Sequence, residues 1–231
     1  MGNVAIIPAR GGSKRIPQKN IRLFEGRPII AYSIEAAIRT NLFEKIIVST
    51  DSDEIASIAM KYGAEVPFHR PSSLSDEYTG TGAVVWHAID WLRNHGTAVD
   101  YVCCIYATAP LIRPEFIVKG YEMLKQSSVT SVVSVTTFPS PIFRALKLSP
   151  EGRLVMVWPE HLKTRSQDLP ETYGDAGQFY WAKADQFLKE KTFYSKDALP
   201  IVLPRYLVQD IDTPEDWETA EKMYRVLYGN G

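Results

Sequence analysis

A chain of 231 residues, 45% of them hydrophobic and 23% charged, has room for one sizeable α/β domain and is short for two. The formal net charge is -1, so no global basic field points to nucleic acid or a membrane surface as a partner. No apolar run approaches the roughly 18–20 residues of a membrane span, and the first residues, Met1-Gly2-Asn3-Val4-Ala5-Ile6-Ile7-Pro8, lack the basic flank and long apolar stretch of a signal peptide.

In chain order, residues 4–8 read as a first strand. Residues 28–40 carry helical periodicity at Ile30, Ile34, Ala37 and Ile38, with Pro28 suited to a first turn. A strand is predicted over 45–49, a helix over 53–62 closed by Gly63, and a short strand over 65–68. Residues 81–94 are helical, 101–106 form a buried strand, 114–126 a helix and 129–136 a strand. Cys103 and Cys104 are adjacent within that buried strand. Neighbouring cysteines rarely meet disulfide geometry, so a reduced buried pair in a cytoplasmic protein is expected. The histidines show no zinc-ligand spacing.

Alternating strands and helices predict an α/β fold of three layers, a mostly parallel sheet with helices on both faces. The alternation breaks over residues 138–173, where prolines and alternating apolar positions (Leu146, Leu148, Leu154, Met156, Trp158) predict a β-arm leaving a single domain of residues 1–231. Such an arm serves a subunit interface or closes over a ligand, and a homodimer is expected. The main pattern resumes at Phe179-Tyr180-Trp181, and a last helix over 214–228 opens on Thr213-Pro214-Glu215-Asp216, an N-cap, a first-turn proline and a capping-box acid.

The chemistry concentrates behind the first strand. Arg10, Lys14, Arg15, Lys19 and Arg22 fall within thirteen positions, and no acid occurs before Glu25. Gly11 and Gly12 let the backbone approach a ligand, and the cations neutralise phosphate. The spacing is neither a Walker loop nor the G-x-G-x-x-G fingerprint. At the carboxyl end of the first strand of a parallel sheet, this loop predicts a phosphate site.

The run Ala9-Arg10-Gly11-Gly12-Ser13-Lys14, followed by Ile16-Pro17, Lys19 and Asn20, resembles the signature of cytidylyltransferases acting on sialic-acid-type sugars. The resemblance extends through Val48-Ser49-Thr50-Asp51-Ser52 and through Gly63-Ala64-Glu65-Val66-Pro67-Phe68 with Arg70-Pro71, and covers essentially the whole chain. It implies the Rossmann-like fold of the nucleotide-diphospho-sugar transferase type. It also implies transfer of CMP from CTP to the anomeric hydroxyl of a nine-carbon acidic sugar. On this resemblance Ala9, Arg10, Gly11, Gly12, Ser13, Lys14, Lys19 and Asn20 hold the triphosphate and ribose, and Arg70 with Thr81 holds the cytosine. Arg10, Lys19 and Asp210 carry the catalysis.

Departures from the family pattern bear on the acceptor. Tyr106-Ala107-Thr108-Ala109-Pro110 replaces the usual Gln-Pro-Thr-Ser-Pro, whose glutamine helps hold sialic acid. Asp175-Ala176-Gly177-Gln178-Phe179-Tyr180 looks like the branch that activates pseudaminic acid, a 5,7-diamino relative. Tyr106, Thr108, Arg165, Gln178 and Tyr180 are the expected sugar contacts, Arg165 as a partner for the sugar carboxylate. Asp210 and Asp212 stand two apart on an extended segment, so both point the same way and suit one Mg2+ shared with substrate phosphates. Asp51, Asp53 and Glu54 read instead as a helix start, and Glu215, Asp216 and Glu218 as first-turn acids on a helix dipole.

The same reaction on neuraminic acid, legionaminic acid or the eight-carbon sugar Kdo is the near alternative. A metal-dependent glycosyltransferase would consume a nucleotide sugar instead, and a non-catalytic nucleotide-binding protein would hold CTP without turnover.

Overall fold

The structure, a computed structural model, describes residues 2–229. Its elements in chain order begin with β1 (Asn3–Pro8), the two-residue strands β2 (Leu23–Phe24) and β3 (Arg27–Pro28), α1 (Ile29–Arg39), β4 (Lys45–Ser49) and α2 (Asp53–Lys61). There follow α3 (Thr81–Asn94), β5 (Tyr101–Ile105), α4 (Pro114–Gln126) and β6 (Ser131–Thr137). The last group is β7 (Leu146–Leu148), β8 (Leu154–Met156), β9 (Tyr173–Lys183), α5 (Ala184–Glu190), β10 (Leu199–Leu203) and α6 (Pro214–Tyr228).

A six-stranded sheet has the order β10-β6-β9-β5-β1-β4. Strand β9 runs antiparallel to both of its neighbours, and the remaining pairs are parallel. The period-two alternation of each strand divides the core between the two faces. Ala5, Ile7, Val48, Cys103, Ile105 and Trp181 face α1, α2 and α4, while Val4, Ile6, Ile47, Cys104, Tyr180 and Ala182 face α3 and α5. This gives the predicted three layers. It also sends the two thiols to opposite sides of the sheet, where both are fully buried and unpaired. Burial pushes both thiols well above their ordinary pKa.

Several boundaries were legible in local chemistry. Ser52 caps α2 by accepting the Ile55 N–H, and Gly63 stands just past its end at φ +95°, the left-handed conformation that glycine adopts at no steric cost. Thr213 and Asp216 form the predicted capping box of α6, with Pro214 in its first turn. The strand predicted over 65–68 is absent as a ladder. Only isolated bridges form, Ile47 to Glu65 and Thr50 to His69, and Pro67 between them has no N–H to donate. Two elements of the main sheet were not anticipated, the direction of β9 and the edge strand β10. The arm is the antiparallel pair β7–β8 flanked by short 3-10 turns, held by Phe143 against Trp158 and His161.

A third cluster lies outside the sheet. Ile16, Phe24, Ile29 and Tyr32 pack on Ile211, Trp217 and Ala220. Phe24 meets Tyr32, Trp217 and Tyr224 edge-on at 5.5–5.6 Å, a favoured aromatic geometry. This cluster fastens the loop behind β1 to the segment before α6.

Candidate active site

Beyond Pro8 the chain stays beside the carboxyl end of β4, where the Ala9 N–H donates to Ser49 O at 2.9 Å. Ala9 is fully buried and shapes the loop without reaching its cavity. The two glycines act differently from expectation. The Gly11 N–H already donates to the Asp51 carboxylate at 2.8 Å, and a Cβ at Gly11 would stand 3.2 Å from Ser52 Cβ. Gly11 is therefore a packing position whose amide is engaged. Gly12 is exposed, with nothing within 4 Å of a Cβ placed on it. The Asn20 side chain is buried and donates to Arg10 O at 2.9 Å, closing the loop on itself.

The loop forms one wall of a cavity of ≈ 640 Å³ at the carboxyl ends of β1 and β5. Arg10, Ser13, Lys14, Lys19 and Asn20 line it, as does Arg15, whose role the sequence reading left unassigned. The opposite wall is the 77–79 stretch with Arg70, Thr81 and Val84; Tyr106 and Thr108 form the floor, and Asp212 one end. Arg10 reaches across to Asp76 O at 2.8 Å, and Lys14 pairs with Glu77 at 3.0 Å. Asp76 fixes that second loop by accepting from Thr79 N and Thr79 Oγ1, both at 2.7 Å. Glu77 and Tyr78 gave no sequence signal, because a short exposed polar loop looks the same wherever it lies.

Arg70 is 3% exposed, donates to the Ser49 carbonyl, and leaves its Nε without a partner. Burial, with Arg10 nearby, lowers its pKa to about 10 against the opposing pull of Asp51. The buried guanidinium is fixed by the end of β4, with the rest of the side chain contributing to the cavity wall. Thr81 opens α3 and lies 3.3 Å from the Tyr106 hydroxyl.

Lys19 donates to Ile211 O at 2.6 Å and lies 3.4 Å from Asp212, which also pairs with Arg15 at 2.9 Å. Asp210 is exposed as a residue. The surrounding protein mass first, then the Asp212 charge, raises its pKa, with Lys19 opposing and Asp175 adding to the rise. Two hard oxygen donors that repel each other, beside Lys19 and Arg15, could hold a divalent ion completed by oxygens from a ligand and water. Among the described residues no group of three or more acidic, histidine or cysteine side chains gathers to cage an ion unaided.

Asp210, Gln178, Tyr180 and Arg165 are not among the residues lining this cavity, although Asp212 is. Gln178 is buried and its amide donates to Leu207 O, so it ties β9 to the segment leading to Asp210. Tyr180 is buried, and its hydroxyl donates to the Asp175 carboxylate at 2.6–2.7 Å. Arg165 lies exposed in the arm, where it pairs with Asp168 at 2.7 Å.

The cytidylyltransferase family model matches residues 4–230. The chain is 44% identical to a pseudaminic acid cytidylyltransferase of Campylobacter jejuni subsp. jejuni over 98% of its own length and 97% of the relative's. It is 38% identical to the CMP-N,N'-diacetyllegionaminic acid synthase of Legionella pneumophila, with 95% of each chain covered. Among solved structures, CMP:2-keto-3-deoxy-manno-octonic acid synthetase complexed with CTP superposes with a TM-score of 0.71 at 14% identity, covering 98% of this chain and 100% of that one.

Proposed function

The chain belongs to the cytidylyltransferase family, and from that premise we propose that the cavity behind β1 is where CTP and a nonulosonic acid react. The enzyme transfers CMP from CTP to the anomeric hydroxyl of the acidic sugar and releases pyrophosphate. Pseudaminic acid is the acceptor best supported, by the 44–45% identity to cytidylyltransferases of that type over nearly the full chain and by the Asp175–Tyr180 stretch. The single observation that carries the reading is the convergence of Arg10, Lys14, Arg15 and Lys19 with the buried Arg70 on one cavity.

In this reading Arg10 and Lys14 exchange their contacts with Asp76 and Glu77 for the β- and γ-phosphates. That exchange costs little, since the Arg10 contact is an exposed hydrogen bond to a main-chain carbonyl and the Lys14–Glu77 pair is exposed and screened by solvent. Lys19, anchored on Ile211 O, stabilises the charge that builds at the α-phosphate. Asn20 keeps the loop in register beside the ribose and phosphates, and Arg70 with Thr81 reads the cytosine from the edge of β4 and the start of α3. Tyr106 and Thr108 form the acceptor side.

Asp210 and Asp212 would hold Mg2+, which when bound neutralises phosphate charge as a Lewis acid. The proton of the attacking hydroxyl would leave either to the metal-activated site or to Asp210 itself, the carboxylate that Gly177 packs against. Gln178 and Tyr180 support this end of the site from behind.

The arm is assigned to a homodimer interface. Leu148 and Leu154 are each 69% exposed on its two strands, an apolar surface that a monomer would leave in water. Across such an interface Arg165 would serve the partner's acceptor site. The buried thiols suit the reducing cytoplasm, the compartment proposed here. Among the described residues no helix is long and apolar enough to cross a membrane. Pyrophosphate release with CTP, UTP, ATP and GTP tests the nucleotide assignment: CTP alone should support turnover with pseudaminic acid, and equal turnover with UTP would refute the cytosine role of Arg70.

A further inference from the structure

Beside the acceptor end of the cavity, β9 departs from its ladder. Its pairing with β6 jumps from Val133–Tyr180 to Val135–Asp175, leaving 176–179 as a bulge. Gly177 at the apex has φ +58°, and a Cβ there would stand 3.6 Å from Asp210 Oδ1. The bulge is therefore set directly against the aspartate assigned to the reaction. Bulges of this kind re-aim side chains next to active sites.

The residue re-aimed is Asp175. It accepts from the Tyr180 hydroxyl at 2.6–2.7 Å, from the Tyr194 hydroxyl at 2.7 Å and from the Gly177 N–H at 2.9 Å. An ionised carboxylate has about four acceptor positions, so three donors hold it rigidly and leave one free. Asp175 is nevertheless exposed, and its charge is felt at both Asp210 and Tyr106. Tyr180 in turn packs edge-on against Tyr106, a wall of the cavity, at 5.6 Å. One buried phenol, Tyr180, and one exposed phenol, Tyr194, both spend their hydroxyls on fixing a carboxylate that still opens to solvent beside the reacting centre.

We propose that Asp175 is a specificity-determining residue that contacts the acceptor sugar, its free oxygen position accepting a hydrogen bond from an N–H or O–H of the nonulosonic acid. The inference rests on the reading of the cavity as a cytidylyltransferase site. Tyr180 and Tyr194 are positioning residues that orient the carboxylate.

The test is steady-state pyrophosphate release by purified full-length Asp175→Asn and Tyr194→Phe, with folding checked by circular dichroism. Asp175→Asn is expected to raise the KM for the acceptor by about tenfold or more, the scale of a lost hydrogen bond to an ionised group, with the KM for CTP within twofold of wild type. Tyr194→Phe, at a residue 58% exposed and so tolerant of the change, is expected to raise the acceptor KM about threefold and leave CTP alone. Where Asp175→Asn does not fold, Tyr194→Phe decides. An unchanged acceptor KM, or equal losses for CTP and acceptor, overturns the assignment while the wild-type enzyme stays active. A wild-type chain inactive on every nonulosonic acid overturns the cavity reading, and this inference with it.

Discussion

Lys19 and Ile211, 192 positions apart, are joined by a hydrogen bond from the Lys19 ammonium to the Ile211 carbonyl at 2.6 Å. The bond places a cation from the loop behind β1 within 3.4 Å of Asp212. The basic loop and the Asp210–Asp212 segment thus form one unit, stapled underneath by Phe24 against Trp217.

Replacing Lys19 with Met should therefore damage catalysis more than binding. Removal of one preorganised charge that stabilises a developing anion costs about 10²–10³ in kcat. Steady-state kinetics should show that loss, with the KM for CTP changed only a few-fold. A KM effect alone would move Lys19 from the α-phosphate to ground-state binding.

Magnesium dependence follows from the two aspartates. Chelation should abolish pyrophosphate release, and added Mg2+ should restore it. Asp212→Asn should raise the Mg2+ concentration for half-maximal rate by about tenfold or more, the penalty expected for a lost ligand or its support. The same change frees Arg15 and Lys19 from their partner. Full activity without added metal would contradict the assignment.

Arg70→Lys is not a conservative change at this site. The guanidinium is buried, engages Ser49 O and keeps its Nε free, a fork that an ammonium does not reproduce. The KM for CTP should rise by about tenfold, and discrimination of CTP against UTP should fall. Calorimetric CTP titration of the folded variant checks both.

How much of this was readable from the chain differs by element. The loop behind β1 was legible because glycines and cations with no acids have few other uses, and α6 because Thr213, Pro214 and Asp216 are specific to a helix start. The direction of β9 was not legible. A strand buried on both faces is a run of apolar residues whichever way it points, so Phe179-Tyr180-Trp181 marked a strand without its orientation. Gln178 and Tyr180 were expected to contact the acceptor, yet each spends its polar group on the protein, on Leu207 O and Asp175 respectively. Partners 29 and 5 residues away leave no mark in a motif. Asp175 stood in that motif, but only the bulge shows where its carboxylate goes.

The arm offers a prediction independent of chemistry. Leu148→Asp with Leu154→Asp places charges on the exposed apolar face of β7 and β8. Light scattering should report a dimer for the wild type and a monomer for the double variant. The acceptor KM should rise in the variant if Arg165 works across the interface, and Arg165→Ala should reproduce that rise without dissociating the dimer. A wild type that is monomeric at working concentration would refute the arm as an interface.

The most direct test of the central claim is mass-spectrometric analysis of the wild-type enzyme with CTP, Mg2+ and pseudaminic acid, alongside neuraminic and legionaminic acids. The cavity reading predicts a CMP-pseudaminic acid product in amounts equal to released pyrophosphate, with markedly less product from the other two. A folded protein that forms no CMP-sugar from any of them would contradict it.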